Sequence, residues 1–203
     1  MEIFNIPQFT PERRIVHAAL YTNVTNGGVL RQRIIAAANA TGAVGEDERE
    51  AVNFAFIDAR LITSRLHLQT AIYQAILAES QDAMRTRAVH SEVIWALNPT
   101  NNITEALRRY GVSETSTAVI VVSIDGGLTD VEKKMGAVVA GTLSSFDELE
   151  NVTDWTAVKK VMKKVLGNEM MLIIAQYNKL SDMKRSEVDR IVVSTVAMKS
   201  VVS

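Results

Sequence analysis

Cysteine is absent from this sequence of 203 residues, and so is any long apolar run. Without thiols the chain cannot form disulfides, a composition that fits a reducing compartment. No apolar stretch reaches the roughly 18 residues that would suggest a membrane-spanning helix. The opening residues, MEIFNIPQFTPERR, also lack the basic and then apolar segments of a secretory signal. We therefore expect a protein of the nucleus and cytoplasm that makes no contact with a membrane.

An excess of charge of either sign is absent as well. The chain has 22 basic and 23 acidic side chains, which give a formal net charge of -1. The electrostatic field of the whole molecule therefore does not favour nucleic-acid binding. Any such contact has to come from a local basic patch.

Sequence motifs for catalysis and for metal or nucleotide binding are also missing. The histidines His17, His67 and His90 are far apart and have no partner at metal-ligand spacing, so we expect no metal site. Gly126 and Gly127 follow a predicted strand, but neither the GxGxxG nor the GxxxxGKS/T pattern occurs. No nucleophile elbow or catalytic triad order is present. The sequence thus predicts a protein that is not an enzyme and needs no cofactor.

The length of the chain predicts one domain, residues 1–203, with a sizeable core. The clearest strand is Thr117 to Ile124, because a continuous run of apolar, β-branched residues indicates burial on both faces of a sheet. Other strand candidates are Arg13 to Val24, Asn53 to Asp58 and Leu143 to Phe146, and the apolar segment Met170 to Ala175 has no clear assignment.

Apolar residues at helical spacing predict several helices. They are Val29 to Ala40 with an end near Gly42, a helix capped by Ser64, Val131 to Ala140, a helix from Asp154 to Val165 capped by Asp154, and Ser186 to Val201. The acidic run Glu46 to Glu50 is predicted to be a solvated loop. Together these elements indicate the α/β or α+β class.

Two short helices are predicted within the stretch Met84 to Val112, separated by a polar joint at Asn98 to Asn102. Ser91 is a candidate N-cap of the first helix, and Pro99 discourages helix at the residue before it. No residue arrangement in this stretch is typical of a catalytic centre. The stretch therefore indicates binding.

The second short helix is expected to start at one of the last two asparagines of the joint and to stop at Gly111 in the left-handed conformation. Its apolar positions follow helical spacing, which favours docking on the sheet with Leu107 and Tyr110 buried. Ile103 lies in the first helical turn beside the polar joint. It is therefore a candidate anchor for a partner protein.

Basic residues are concentrated around the same stretch. They are Arg85, Arg87, Arg108 and Arg109, and the pair Lys163 and Lys164 from further along the chain is grouped with them. Two interpretations remain open, a local phosphate-binding patch and ordinary solvated charge.

Several segments of the chain share a pattern in collinear order. They read AFIDARL at 55–61, AIYQA at 71–75, MRTR at 84–87, SEV at 91–93, NPTNNITEALRRYGVSETSTAVIVV at 98–122, TDW at 153–155 followed by AVKKV at 157–161, YNKLS at 177–181 and AMKSVV at 197–202. Together they closely resemble the PRPK-binding protein family, the kinase-regulating subunit of the KEOPS (EKC) complex.

The resemblance implies a small mixed or antiparallel sheet packed with helices, in a subunit without catalytic activity of its own. It also implies a surface for the N-lobe of the complex's small atypical kinase-ATPase, and an indirect association with the other KEOPS subunits. The complex makes the threonylcarbamoyladenosine modification of tRNA and has been tied to telomere maintenance and transcription. Archaeal relatives help to hold tRNA by its 3′ CCA end, so a tRNA-binding module is the alternative function.

Two sets of site residues follow from the resemblance. The expected kinase contacts are Pro99, Asn101, Asn102, Ile103 and Ala106. The expected tRNA contacts are Arg85, Arg87 and Lys199.

One segment departs from the family pattern. Family members pass from the DWxxVKKV helix almost directly into a YKLS-like motif, whereas here Met162 to Gln176 intervene. This insertion is either a lineage-specific extension or unspliced sequence retained in a gene model.

Overall fold

An antiparallel sheet lies at the centre of the computed structural model, which describes residues 1–126, 129–165 and 184–202. The strands are β1 (Glu2–Asn5), β2 (Ile15–Thr22), β3 (Ala55–Asp58), β4 (Val119–Ile124) and β5 (Thr142–Ser144). Their order is β1-β2-β4-β3. Strand β5 pairs with the C-terminal end of β2, on the same edge of β2 as β1. The fold class and the antiparallel alternative for the sheet are confirmed. The short edge strand β1 has no counterpart among the predicted strands.

Nine α-helices surround the sheet in the described ranges. They are α1 (Gly27–Asn39), α2 (Gly42–Ala51), α3 (Arg65–Ser80), α4 (Val89–Leu97), α5 (Ile103–Tyr110), α6 (Val131–Val138), α7 (Leu149–Val152), α8 (Trp155–Val165) and α9 (Arg185–Val202). Short 3-10 helices span Ala59–Leu61 and Phe146–Glu148. None of these helices combines the length and apolar character that a membrane span requires.

Strand β4 is covered on both faces, as its apolar sequence predicts. All six of its residues are buried, and alternate side chains point to opposite sides of the sheet. Ile120 and Val122 pack in a cluster with residues of α3 and α4. Val119 and Val121 pack in a second cluster with residues of α1 and α6. Each fully buried side chain of this kind contributes roughly 1.5–3 kcal/mol to stability.

The predicted caps of α3 and α8 are confirmed. Ser64 Oγ accepts a hydrogen bond of 3.0 Å from the His67 amide in the first turn of α3. Asp154 Oδ1 accepts bonds from the amides of Thr156 and Ala157, at 3.0 and 2.9 Å, before α8. Each cap satisfies amide groups that have no partner within the helix.

The acidic run Glu46 to Glu50 is helical, so its prediction as a loop was wrong. It belongs to α2, and an ion pair of 3.0 Å between Arg33 Nε and Glu48 Oε2 joins this helix to α1. Helix α1 ends at Asn39, and Gly42, with a φ of 71°, begins α2 instead of ending α1. The packing of α2 on α1 depends on tertiary contacts that the local composition does not reveal.

Two predicted helix ends within Met84 to Val112 also differ from the structure. Ser91 lies inside α4, and Ala88 takes the N-cap position. Gly111 is extended, with a φ of -73°, and does not adopt the left-handed conformation. A Cβ atom at Gly111 would lie 2.5 Å from the carbonyl oxygen of Leu107, so glycine is needed there for close approach.

Some sequence predictions lie outside the described residues. They are most of the insertion Met162 to Gln176, the apolar segment Met170 to Ala175 and the motif at 177–181. The single domain over residues 1–203 likewise stays a prediction.

Two histidines are buried in neutral form. His90 Nε2 accepts a hydrogen bond of 3.0 Å from the Ile124 amide, and His90 Nδ1 lies 3.0 Å from Asn53 Oδ1. His67 Nδ1 accepts a bond of 3.3 Å from the Thr63 amide. Burial lowers the pKa of His67 and the pKa of His90 to about 4 in each case.

We therefore expect stability to fall as the pH drops from about 6.5 towards about 4. In this window the unfolded state binds more protons than the folded state, because both folded pKa values are about 4 against an unfolded value of 6.5. The loss should be roughly 1–3 kcal/mol per histidine. Urea unfolding at several pH values measures it, and His90→Gln should make the dependence shallower. A stability that does not change across this window would contradict the prediction.

Candidate docking site

The MRTR loop, residues 84–87, is organised around the carboxylate of Glu92. Glu92 lies buried in α4 and accepts hydrogen bonds from the Arg85 amide at 3.1 Å and from the Thr86 amide at 2.8 Å. The Thr86 hydroxyl donates a further bond of 2.7 Å to the same carboxylate. Hydrogen bonds to a charged acceptor contribute roughly 1.5–3 kcal/mol each. The backbone of the loop is therefore held in one shape.

The side chains of Arg85 and Arg87 project from this fixed loop and are exposed. Among the described residues, neither guanidinium has a hydrogen-bond or ion-pair partner. Arg109 differs, because its guanidinium donates to Glu105 Oε1 at 2.5 Å and to Asn98 Oδ1 at 3.0 Å and is almost fully covered. The proposed basic patch therefore cannot include Arg109.

The polar joint at Asn98 to Asn102 is held by a closed set of side-chain hydrogen bonds. Asn98 is fully buried and donates through Nδ2 to the carbonyl and the hydroxyl of Thr100, at 3.0 and 2.8 Å. The Thr100 hydroxyl donates to Glu105 Oε2 at 2.8 Å, and Glu105 pairs with Arg109, which returns to Asn98. We call these four residues the Asn98 network. It fixes the joint relative to both α4 and α5.

An apolar pair lies on the outer face of α5 next to the joint. Asn102 caps the helix by accepting a bond of 2.9 Å from the Glu105 amide, which confirms one of the two predicted starts. Ile103 is 38% exposed and Leu107 is 48% exposed. Residues four apart are neighbours on one helix face, so the two side chains form one apolar strip.

The expected kinase contacts fall into two groups. Asn101, Asn102 and Ile103 are exposed and Pro99 is partly exposed, whereas Ala106 is completely buried. Ala106 supports α5 from inside and cannot touch a partner, so its placement among the contacts was wrong.

The prediction that Leu107 and Tyr110 are both buried is confirmed for one of the two residues. Tyr110 belongs to the core cluster as expected, but Leu107 is not a core residue. Leu107 lies about 100° around the helix from the buried Ala106, on the side of Ile103.

Lys199 of α9 is not available to tRNA. It is only 7% exposed, and its Nζ donates to the carbonyls of Trp95 and Asn98, the latter at 2.7 Å. The same Nζ lies 3.4 Å from the centroid of the Trp95 ring. Burial lowers the pKa of Lys199 to about 7, against the opposing effect of the Glu92 charge. The expected tRNA contact at this residue was wrong, because the amino group is buried and donates its hydrogen bonds to these two carbonyls.

An apolar strip beside a rigid polar loop is an arrangement for binding. In the described part of the chain, no group of three or more histidine, aspartate or glutamate side chains is placed to hold a metal ion. Exposed apolar side chains on a fixed backbone lose little entropy on association, as expected for anchors of a protein interface.

Residues 21–200 match the family model described as "Kinase binding protein CGI-121". The chain belongs to the CGI-121 family. The family resemblance of the sequence segments is thereby confirmed.

Curated relatives that carry the name EKC/KEOPS complex subunit CGI121 are similar along most of this chain. The protein of Cryptococcus neoformans var. neoformans serotype D, strain JEC21, is 32% identical over 238 residues, with all of both chains covered. The protein of Kluyveromyces lactis is 34% identical over 160 residues, which cover 78% of this chain and 91% of the relative. The protein of Schizosaccharomyces pombe is 30% identical over 162 residues, which cover 78% of this chain and 86% of the relative.

Two polar residues that shape this CGI-121 surface were missed in the sequence. Glu92 carries a detectable signal, because a carboxylate between apolar residues of a short helix requires buried donors. Asn98 has only the following proline as a local signal, which indicates a helix end but no hydrogen-bond network. Its partners Glu105 and Arg109 come from the next helix.

We expect Glu92→Ala to destabilise this CGI-121 family member by about 2–4 kcal/mol, because it leaves the Arg85 and Thr86 amides without an acceptor. Chemical denaturation measures the loss. Glu46→Ala, at an exposed position of α2, is the matched control and should change stability by less than about 0.5 kcal/mol. Equal effects of the two variants would mean that the Glu92 carboxylate does not organise the loop.

Proposed function

We propose that this chain is a noncatalytic subunit of an EKC/KEOPS complex that binds the small atypical kinase-ATPase of that complex. The family description names kinase binding, and the relatives are named as subunits of the complex. The observation that carries the proposal is the exposed pair Ile103 and Leu107 beside a joint whose shape is fixed.

The docking surface that we propose consists of Pro99, Asn101, Asn102, Ile103 and Leu107. The two apolar side chains serve as anchors in a pocket of the kinase N-lobe, and the exposed asparagines supply polar contacts around them. Arg108, with a side chain that is 70% exposed, lies next to this surface in sequence and favours an acidic group on the kinase.

Activation follows only if the subunit distinguishes two states of the kinase. A protein that binds the active and inactive N-lobe equally well shifts no population between them. We therefore propose that the docking surface fits the active N-lobe better, and that the subunit in this way supports the threonylcarbamoyladenosine modification of tRNA.

Ile103→Arg tests the docking surface. We expect kinase affinity to fall by at least about thirtyfold, because an interface anchor commonly contributes about 2 kcal/mol or more. Since Ile103 is 38% exposed, circular dichroism and the melting temperature should stay near wild type. Calorimetric titration with the purified kinase gives the affinity, and the ATPase rate of the mixture reports activation.

Val44→Arg is the matched control, because Val44 is a 75% exposed apolar residue on α2. It should leave kinase affinity unchanged. Normal affinity of a folded Ile103→Arg variant would contradict the assignment of the docking surface, and loss of folding would show Ile103 to be structural.

A second candidate function, tRNA binding, is favoured by the fixed loop that presents two unpaired guanidinium groups. Because Glu92 orders the backbone of the loop, only the side chains of Arg85 and Arg87 have to be ordered when they meet a phosphate. With a net charge of -1, the rest of the chain contributes little to such binding. This function adds to kinase docking, since the two sets of residues do not overlap.

Arg85→Glu combined with Arg87→Glu tests the second function. We expect weaker tRNA binding, and a plot of log affinity against log salt that becomes shallower by about 0.7 for each lost contact to a single strand. Filter binding at several salt concentrations measures both effects. Arg14→Glu combined with Arg31→Glu makes the same charge change at exposed positions elsewhere and should have a smaller effect. Equal losses of tRNA affinity in the two double variants would show that the loop contributes only unspecific electrostatic attraction.

A further inference from the structure

The C-terminal end of α4 receives its cation from a distant part of the chain. The last carbonyl groups of a helix have no partner within it and carry partial negative charge. At the end of α4, the Trp95 carbonyl accepts from the Asn98 amide at 3.1 Å, and both the Trp95 carbonyl and the adjoining Asn98 carbonyl accept hydrogen bonds from Lys199 Nζ. Lys199 of α9 therefore donates hydrogen bonds to carbonyl groups at the end of α4.

This contact is internal to the fold. Lys199 is 7% exposed, and Nζ also lies over the Trp95 ring at 3.4 Å from its centroid. An ammonium group over an aromatic face and against two carbonyls is held from several directions. Buried donors of this kind are costly to displace, so α9 and α4 keep a fixed relation in this region.

The same Asn98 begins the joint. Its carbonyl accepts from Lys199, while its side chain donates to Thr100 and accepts from Arg109. A shift of the Asn98 backbone therefore also shifts the side chain of Asn98, which is bonded to Thr100 and Arg109. The apolar anchor Ile103 lies in the chain between Thr100 and Glu105 of this network.

We propose that Lys199 is a positioning residue of the docking surface: α9 holds Asn98, and through it the joint and Ile103, in the arrangement that binds the kinase. This inference rests on the proposed kinase-binding function. It gives the C-terminal helix a role in kinase affinity although α9 makes no contact with the kinase. By linkage, kinase binding then favours the anchored state of α9 by the same factor.

Lys199→Met retains the aliphatic stem and removes the donors. We expect kinase affinity to fall by about tenfold, within the range typical for coupling between separate sites. Lys160→Met is the matched control, because it makes the same change at an exposed lysine of α8, and it should leave affinity unchanged. Both variants are compared as full chains under conditions in which circular dichroism shows them to be folded.

A double-mutant cycle with Ile103→Ala separates positioning from a general loss of stability. If Lys199 acts by placing Ile103, the Lys199→Met effect on affinity should shrink to about twofold or less once Ile103 is truncated. Independent, additive losses would overturn the positioning role.

Met198→Arg tests whether α9 touches the kinase directly. Met198 is 52% exposed and precedes Lys199, so a direct contact of this helix turn would be disrupted by the added charge. We expect unchanged affinity. A loss as large as that of Lys199→Met would overturn positioning in favour of direct contact.

Amide hydrogen exchange of the wild-type chain covers the case in which Lys199→Met does not fold. Addition of the kinase should slow exchange in the last turns of α9, since binding and anchoring are linked. Unchanged exchange in a saturated complex would overturn the inference. If the wild-type chain does not bind the kinase at all, the proposed function fails instead, and the two failures are thus distinguished.

Discussion

The burial of α4 is the constraint on which the candidate site depends. Eight of the nine residues of this helix are buried, so every polar group that enters with it must find a partner inside the protein. His90 meets the Ile124 amide, and Glu92 meets the amides of the MRTR loop. At the other end, the Trp95 carbonyl meets Lys199. Each requirement orders a different segment of the chain around one helix.

This constraint explains why two candidate surfaces occur at opposite ends of α4. The donors for Glu92 come from the loop before the helix, and the acceptors for Lys199 lie at its last turn and the start of the joint. In most helices such polar groups are exposed to water. In α4 they are buried, and their hydrogen bonds determine the conformations of the adjoining segments. The side chains of surface residues such as Arg85 and Ile103 need no hydrogen-bond partner inside the protein. They are accessible to a binding partner.

Local signals in the sequence were sufficient where the structure depends on neighbours in the chain. Strand β4 was predictable because five of its six residues are apolar and β-branched, a composition typical of a strand that is covered on both faces. The caps at Ser64, Asn102 and Asp154 were predictable because each side chain reaches an amide two or three residues ahead.

Local signals failed where a distant residue decides. A lysine near the end of the chain is expected to be exposed, but the partners of Lys199 lie at the end of α4, which no spacing rule within α9 reveals. Ala106 and Leu107 are adjacent on an amphipathic helix, and the direction of the sheet decides that the first is buried and the second exposed. Glu46 to Glu50 form a helix because α1 packs beside them, although the acidic run alone favours a loop.

The length of α4 sets the relation between the two candidate surfaces. Nine residues at 1.5 Å rise correspond to about 13 Å between the MRTR loop and the joint. A kinase domain on α5 and a nucleic acid on Arg85 and Arg87 would therefore be close neighbours without sharing a residue. Because both segments are hydrogen-bonded to the same buried helix, their separation is fixed by the core and not by flexible linkers. If both proposed functions hold, the length of α4 sets the distance between the two partners.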